Sequence, residues 1–264
     1  MFEFISTWLT GRNLTLYCLV LFVLMTSAAE VGFRLGVFRA KRRAPQEREL
    51  SGIGAITGGM LGLMAFTLGL TINFAQERFD TRRSLVVQEA NAIGTAWLRS
   101  QLIDSPETTA IQPLIEAYAK VQLAYTVAPR SEDEPALVAR GNALQDQIWR
   151  HMRTLVRREP TTATVSLSAA LTEMFDLAQS QRFAFTSLVP GNLSWMLLTG
   201  SVLAIGAMGF QHGLAGRRQI VLMSFLLLLL AGEMVLITDL NRPRIGNIHV
   251  DPAPLEWTIQ GFGK

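Results

Sequence analysis

The sequence is short of charge. Of its 264 residues only 17% are Asp, Glu, Lys or Arg, against 49% that are hydrophobic. Soluble domains carry about 25% charged residues, so this chain has too little ionic surface to be wetted on all sides. Long disorder is excluded by the same shortage, because disordered chains are polar and strongly charged. Cysteine is almost missing. Cys18 stands alone, which excludes an internal disulfide and leaves no thiolate set for a structural zinc ion. Neither sign of charge dominates, and a formal net charge of +3 is too small to argue for nucleic acid. The three histidines, His151, His212 and His249, have no His, Cys or carboxylate at the i+3 or i+4 spacing of helical metal sites. No G-x-S-x-G elbow, Walker loop or dinucleotide fingerprint occurs. Gly52-Ile53-Gly54 with Gly58 and Gly59 imitates a nucleotide loop but sits in an apolar run with no strand before it. The sequence therefore offers no catalytic residue, no cofactor-binding residue and no metal ligand, and it reads as a non-enzyme.

What is present is apolar length. A helix needs roughly 20 mostly apolar residues to cross the hydrocarbon of a bilayer. Four stretches meet or approach this: Leu14 to Val31, Ile53 to Ala75, Leu193 to Phe210 after Pro190, and Gln219 to Leu240. The last contains Phe225 to Leu230, an unbroken run suited only to lipid or full burial. The first has a rival reading as a signal peptide, with Ser27-Ala28-Ala29 as a small-residue cleavage site. Its long leader has one Arg and one Glu and no positive excess, which favours a retained helix. Four spans leave both termini on one side.

Between the second and third spans, Gln76 to Leu188 carries twelve Lys or Arg and thirteen Asp or Glu, the balance of a folded, solvated domain. No proline interrupts Gly52 to Ser105, so the second span is free to run on as a long helix. Val86, Ala90, Ile93 and Trp97 fall on one stripe of it. Ser105-Pro106-Glu107 reads as a cap with proline at the first helical position, and Pro113 either kinks that helix or marks its start. A further helix follows the turn Pro129-Arg130-Ser131-Glu132, with Leu137, Leu144, Ile148, Met152 and Leu155 on one face; it ends at Glu159-Pro160. The next, from Thr162 to Phe185, shows Leu167, Leu171, Met174 and Ala178. The fold class is all-α: transmembrane helices in 1–75 and 190–240, a helical extramembrane domain in 76–189, and a tail over 241–264 kept irregular by Pro252 and Pro254. Only Ile245 to Val250 hints at a strand.

Several residues stand out for transport. Gly54, Gly58 and Gly62 repeat every four residues, the small-xxx-small pattern that lets helices approach closely, within one subunit or between copies. Phe66, Thr67, Gly69, Thr71 and Asn73 alternate small or polar groups with apolar ones, which suits a pore wall with a hydrophobic constriction as well as ordinary packing. Arg78, Arg82 and Arg83 sit where a mouth would be, or where a span is anchored at the interface. Glu233 is a carboxylate within an apolar span, a setting that usually means a cavity or a partner. Asp239, Arg242 and Arg244 gather at the boundary of the last span, as Glu30 does at the first. Basic residues in short loops favour the cytoplasm. Here Arg34, Arg39, Lys41, Arg42, Arg43, Arg48, Arg217 and Arg218 oppose Arg12, Arg78, Arg82, Arg83, Arg182, Arg242 and Arg244, a slight lean that puts the middle domain outside.

Arg78-Phe79-Asp80-Thr81-Arg82-Arg83, then Glu89-Ala90-Asn91-Ala92-Ile93-Gly94-Thr95-Ala96-Trp97-Leu98-Arg99, resembles the signature of bacterial bestrophin-like membrane proteins, with Glu89, Asn91, Gly94 and Trp97 as motif positions. Asp239 to Gly246 is similar to that family's post-membrane segment. Phe66-Thr67-Leu68-Gly69 with Arg78-Phe79 resembles, more distantly, the pore helix of the bestrophins. Those are pentameric anion channels with four spans and a helical cytosolic domain. The resemblance implies a homo-oligomeric, multi-pass protein of the inner membrane that conducts ions, with its bundle in the cytoplasm, against the charge count. The acidic clasp of calcium-regulated bestrophins is not matched, since this tail offers only Asp251 and Glu256. The alternative class is a non-conducting scaffold whose bundle binds a partner.

Overall fold

The computed structural model describes residues 14–128, 133–242, 244 and 246–263. The elements are α1 (Leu14–Arg42), α2 (Glu47–Ser100), α3 (Pro106–Val127), α4 (Glu134–Arg158), α5 (Thr162–Thr186), α6 (Gly191–Leu214), α7 (Ile220–Leu240) and α8 (Ala253–Gly261). No strand occurs among the described residues. Four helical stretches are long and apolar enough to cross a membrane: α1, α2, a stretch within Thr162–Leu214 that contains α6, and α7. The helix α2 runs unbroken for 54 residues, about 80 Å at 1.5 Å per residue, as the lack of proline implies. Arg12 and the turn 129–132 lie outside the described residues, as do Pro243 and Ile245; 246–250 form no strand.

The chain divides into two compact units. The first comprises residues up to Glu77 and Val189–Arg242. Its tightest contact is α1 on α6, where glycine removes the side chains that would hold two backbones apart. A Cβ on Gly32 would overlap the Gly206 carbonyl, one on Gly36 that of Phe210, one on Gly209 that of Ala29, and one on Gly213 that of Phe33. The helix α1 passes through Ser27-Ala28-Ala29 without interruption to make this contact. Met25, Met64, Leu68, Leu197 and Ile205 are buried within the unit, whereas Val221, Phe225, Leu228 and Leu229 remain exposed as lipid-facing positions would. The Asn241 side chain accepts from the Val189 amide at 2.7 Å, tying the start of α6 to the end of α7.

The second unit comprises Arg78–Leu188 and Pro243–Lys264. Val86, Ala90, Ile93 and Ala96 of α2 enter a core with Ile111 and Ile115 of α3, Ile148 and Met152 of α4, and Leu167, Leu171 and Met174 of α5. Ser105 caps α3 through a reciprocal bond with Thr108, and Pro113 lies inside the helix instead of starting it. The tail corrects the expectation of irregularity. Pro252 stands at the N-cap of α8 and Pro254 in its first turn, where a missing N–H costs nothing. Leu255 is fully buried, Trp97 stacks on Phe262 with centroids 4.5 Å apart, and the Thr258 hydroxyl donates to the Ala90 carbonyl at 3.2 Å.

Candidate functional site

The two faces of α2 organise the candidate residues. Thr57, Met64, Leu68, Thr71, Ala75, Arg82, Val86, Glu89, Ile93, Ala96 and Ser100 are all buried, at the three- and four-residue steps of one helical stripe. The opposite face carries Gly58, Gly62, Phe66, Gly69, Asn73, Asp80, Arg83 and Asn91, all exposed. Phe66 is 64% exposed. Added Cβ atoms at Gly58, Gly62 and Gly69 would meet nothing within 4 Å. Of the glycine repeat only Gly54 has a neighbour, the Gln211 amide nitrogen at 3.0 Å. Helix packing inside the chain thus uses Gly32, Gly36, Gly206, Gly209 and Gly213, a set the sequence reading did not single out.

The three arginines separate. Arg83 is exposed, Arg78 half-buried and Arg82 fully buried. Arg82 donates from Nε to the Ala184 carbonyl at 3.0 Å and from Nη2 to that of Ser187 at 2.8 Å, with Arg78 joining Ser187 at 3.3 Å. These carbonyls end α5 and have no partner within it, and a cation there also meets the negative pole of the helix. Burial, and then the positive charge of Arg78, bring the Arg82 guanidinium down to about 10. Arg82 therefore secures the bundle and cannot ring a mouth.

Glu89 is buried on the same stripe. One carboxylate oxygen accepts from the Gln122 side chain and the other has no partner. Thr126 continues the chain, donating to the Gln122 carbonyl at 2.9 Å and accepting from Gln181 at 3.0 Å. Burial pushes the Glu89 carboxyl up to about 7, against the opposing pull of Gln122 and of the Arg182 charge. The Tyr118 hydroxyl is also raised, by burial first and by Glu89 second. Of the other motif residues, Trp97 holds α8, Gly94 faces Thr258 at ordinary contact distance, and Asn91 is exposed. In α7, Glu233 is partly buried and Asp239 buried. Arg244 lies over the adjoining rings of Tyr125 and Phe185, 4.4 and 4.9 Å from their centroids, and pairs with Glu134. That cage joins residues distant in sequence, so no local spacing announces it.

Four helices long and apolar enough to cross a bilayer, in a chain that is helical throughout its regular structure, define an integral membrane protein of helical type. A family model, the Bestrophin-like domain, matches residues 24–255, and the chain belongs to that family. The fold is that of a bestrophin homologue from Klebsiella pneumoniae solved by zinc phasing, at 13% identity, with 94% of this chain and 96% of that one covered and a TM-score of 0.64. A single-substitution variant of a Klebsiella pneumoniae bestrophin homologue gives 14% identity, coverage of 94% and 97%, and a TM-score of 0.65. No functionally curated protein sequence matches the chain.

Proposed function

We propose that this protein is a homo-oligomeric ion channel of the inner membrane in which copies of α2, five by the bestrophin resemblance, line the conduit. The observation that carries the reading is Asn73, exposed on the face of α2 shared by Phe66 and Gly69. A side-chain amide turned to hydrocarbon lacks partners and costs about 2 kcal/mol or more, a cost that a water-filled lumen removes. Phe66 supplies the apolar constriction, and the bare glycines let neighbouring copies come close. The bundle lies in the cytoplasm in this reading. Anion preference finds little support along this helix: only Arg83 of the three arginines is exposed, and Glu77 and Asp80 accompany it. We therefore propose weak charge selectivity.

Purified oligomer in planar bilayers under a potassium chloride gradient tests this. Expected are discrete currents with a reversal potential near zero, and a larger unitary conductance in Phe66→Ala. A well-formed oligomer silent at every salt gradient and pH overturns the channel reading.

A further inference from the structure

The first unit contains a groove with no residue of α2 in its lining. It lies between α1, α6 and α7, holds about 380 Å³, and opens where residues 215–219 join α6 to α7. Its polarity is graded. At the mouth the Arg218 guanidinium sits 4.2 Å from the centroid of the Phe33 ring and reaches Glu30 at 3.2 Å, where Arg34 also arrives at 2.8 Å. Two guanidinium groups thus share one carboxylate, which leaves a net positive charge and spare N–H donors. His212 and Gln219 complete this rim, and Thr26 and Ser224 bring hydroxyls to the lining about one turn further in. Beyond them Phe22 and Leu227 form an apolar end. Ile220 to Leu227 is seven steps of α7, about 10 Å of depth. The neighbouring groove between α1 and α6 is lined by residues such as Leu24, Val31, Val202 and Phe210 and has no ionisable residue. Charge therefore marks one groove and not the other.

We propose that this groove binds an anionic phospholipid, with its phosphate on Arg218 and Arg34, its ester carbonyls level with Thr26 and Ser224, and an acyl chain along Phe22 and Leu227. A free phosphate shares the headgroup chemistry but has nothing to place in the apolar end. The basic last turn of α1, with Arg39, Lys41 and Arg42, adds to the same attraction. The inference needs membrane embedding only and stands whether or not the protein conducts.

The test uses the full-length protein in nanodiscs of equal phosphatidylglycerol and phosphatidylcholine, with retained lipid counted by native mass spectrometry. Expected is about tenfold preference for phosphatidylglycerol. Arg218→Gln and Ser224→Phe abolish it, the first by removing the charge and the second by filling the groove. Glu30→Gln strengthens it, a gain that no loss of folding imitates. Thermal unfolding of each variant in detergent identifies any that fails to fold, and the comparison then rests on the others. Equal retention of the two lipids by the wild type overturns the proposal, as does preference unchanged in Arg218→Gln and Ser224→Phe. Full displacement of phosphatidylglycerol by millimolar inorganic phosphate reassigns the site to the free anion and overturns it too.

Discussion

Arg82 and Glu89 lie seven residues apart on the buried stripe of α2, and both are ionisable groups enclosed by the bundle. Arg82 is matched to the unpaired carbonyls at the end of α5, so Arg82→Ala strands Ala184 and Ser187. A loss of about 2–3 kcal/mol follows, read as a lower midpoint in thermal or denaturant unfolding. Arg82→Lys recovers only part, because one ammonium does not reproduce the fork. Glu89 behaves in the opposite sense. Its folded carboxyl titrates near 7 instead of near 4.5, so the folded state holds the proton more tightly than the unfolded one. Its favourable contribution is complete below pH 4.5 and disappears as pH rises through 7, a swing on the order of 3 kcal/mol. Unfolding midpoints measured from pH 4 to 8 should fall across this window in the wild type. Glu89→Gln flattens that slope, and an unchanged slope in the variant would show that another group sets it.

At the scale of elements, helix contacts differ in what they tolerate. Gly36→Val or Gly209→Val drives a side chain into the carbonyls of Phe210 or Ala29 and separates α1 from α6. The expected cost is about 3 kcal/mol or outright failure to fold, visible in size-exclusion profiles. Gly62→Ala meets open space and does not destabilise the monomer, the better helix propensity of alanine adding about 0.5–1 kcal/mol. The four spans were legible because apolar length is a direct requirement of the bilayer, and the continuity of α2 because only proline would have broken it. The motif from Glu89 to Trp97 announced the family. The phase of Arg82 was readable too, since Leu68, Ala75, Arg82 and Glu89 follow one another at seven-residue steps. The α1–α6 glycines were not, because each pair becomes a contact only once two remote helices are set in register. The tail helix was hidden by prolines that stop a helix in its interior and favour one at its start.

For the whole molecule, the bare face of α2 sets the experiment. Cysteine at Gly58 or Gly62, in a Cys18→Ser background, should crosslink to a second copy in native membranes. A monomer captured instead with a different protein would favour the scaffold reading. Arg83→Glu should move the reversal potential toward cations while leaving unfolding unchanged, since Arg83 is exposed. Because α2 is uninterrupted through Ser100, its bundle residues Arg82, Val86, Glu89 and Ile93 are locked in one rotational phase. One residue inserted after Ser84 turns Val86, Glu89 and Ile93 by about 100° relative to Arg82, so that Arg82 and Glu89 cannot both stay on the buried stripe. Seven inserted residues nearly restore the angle and lengthen the rod by about 10 Å. The helix thus acts as a torsion bar, forgiving of length and intolerant of twist.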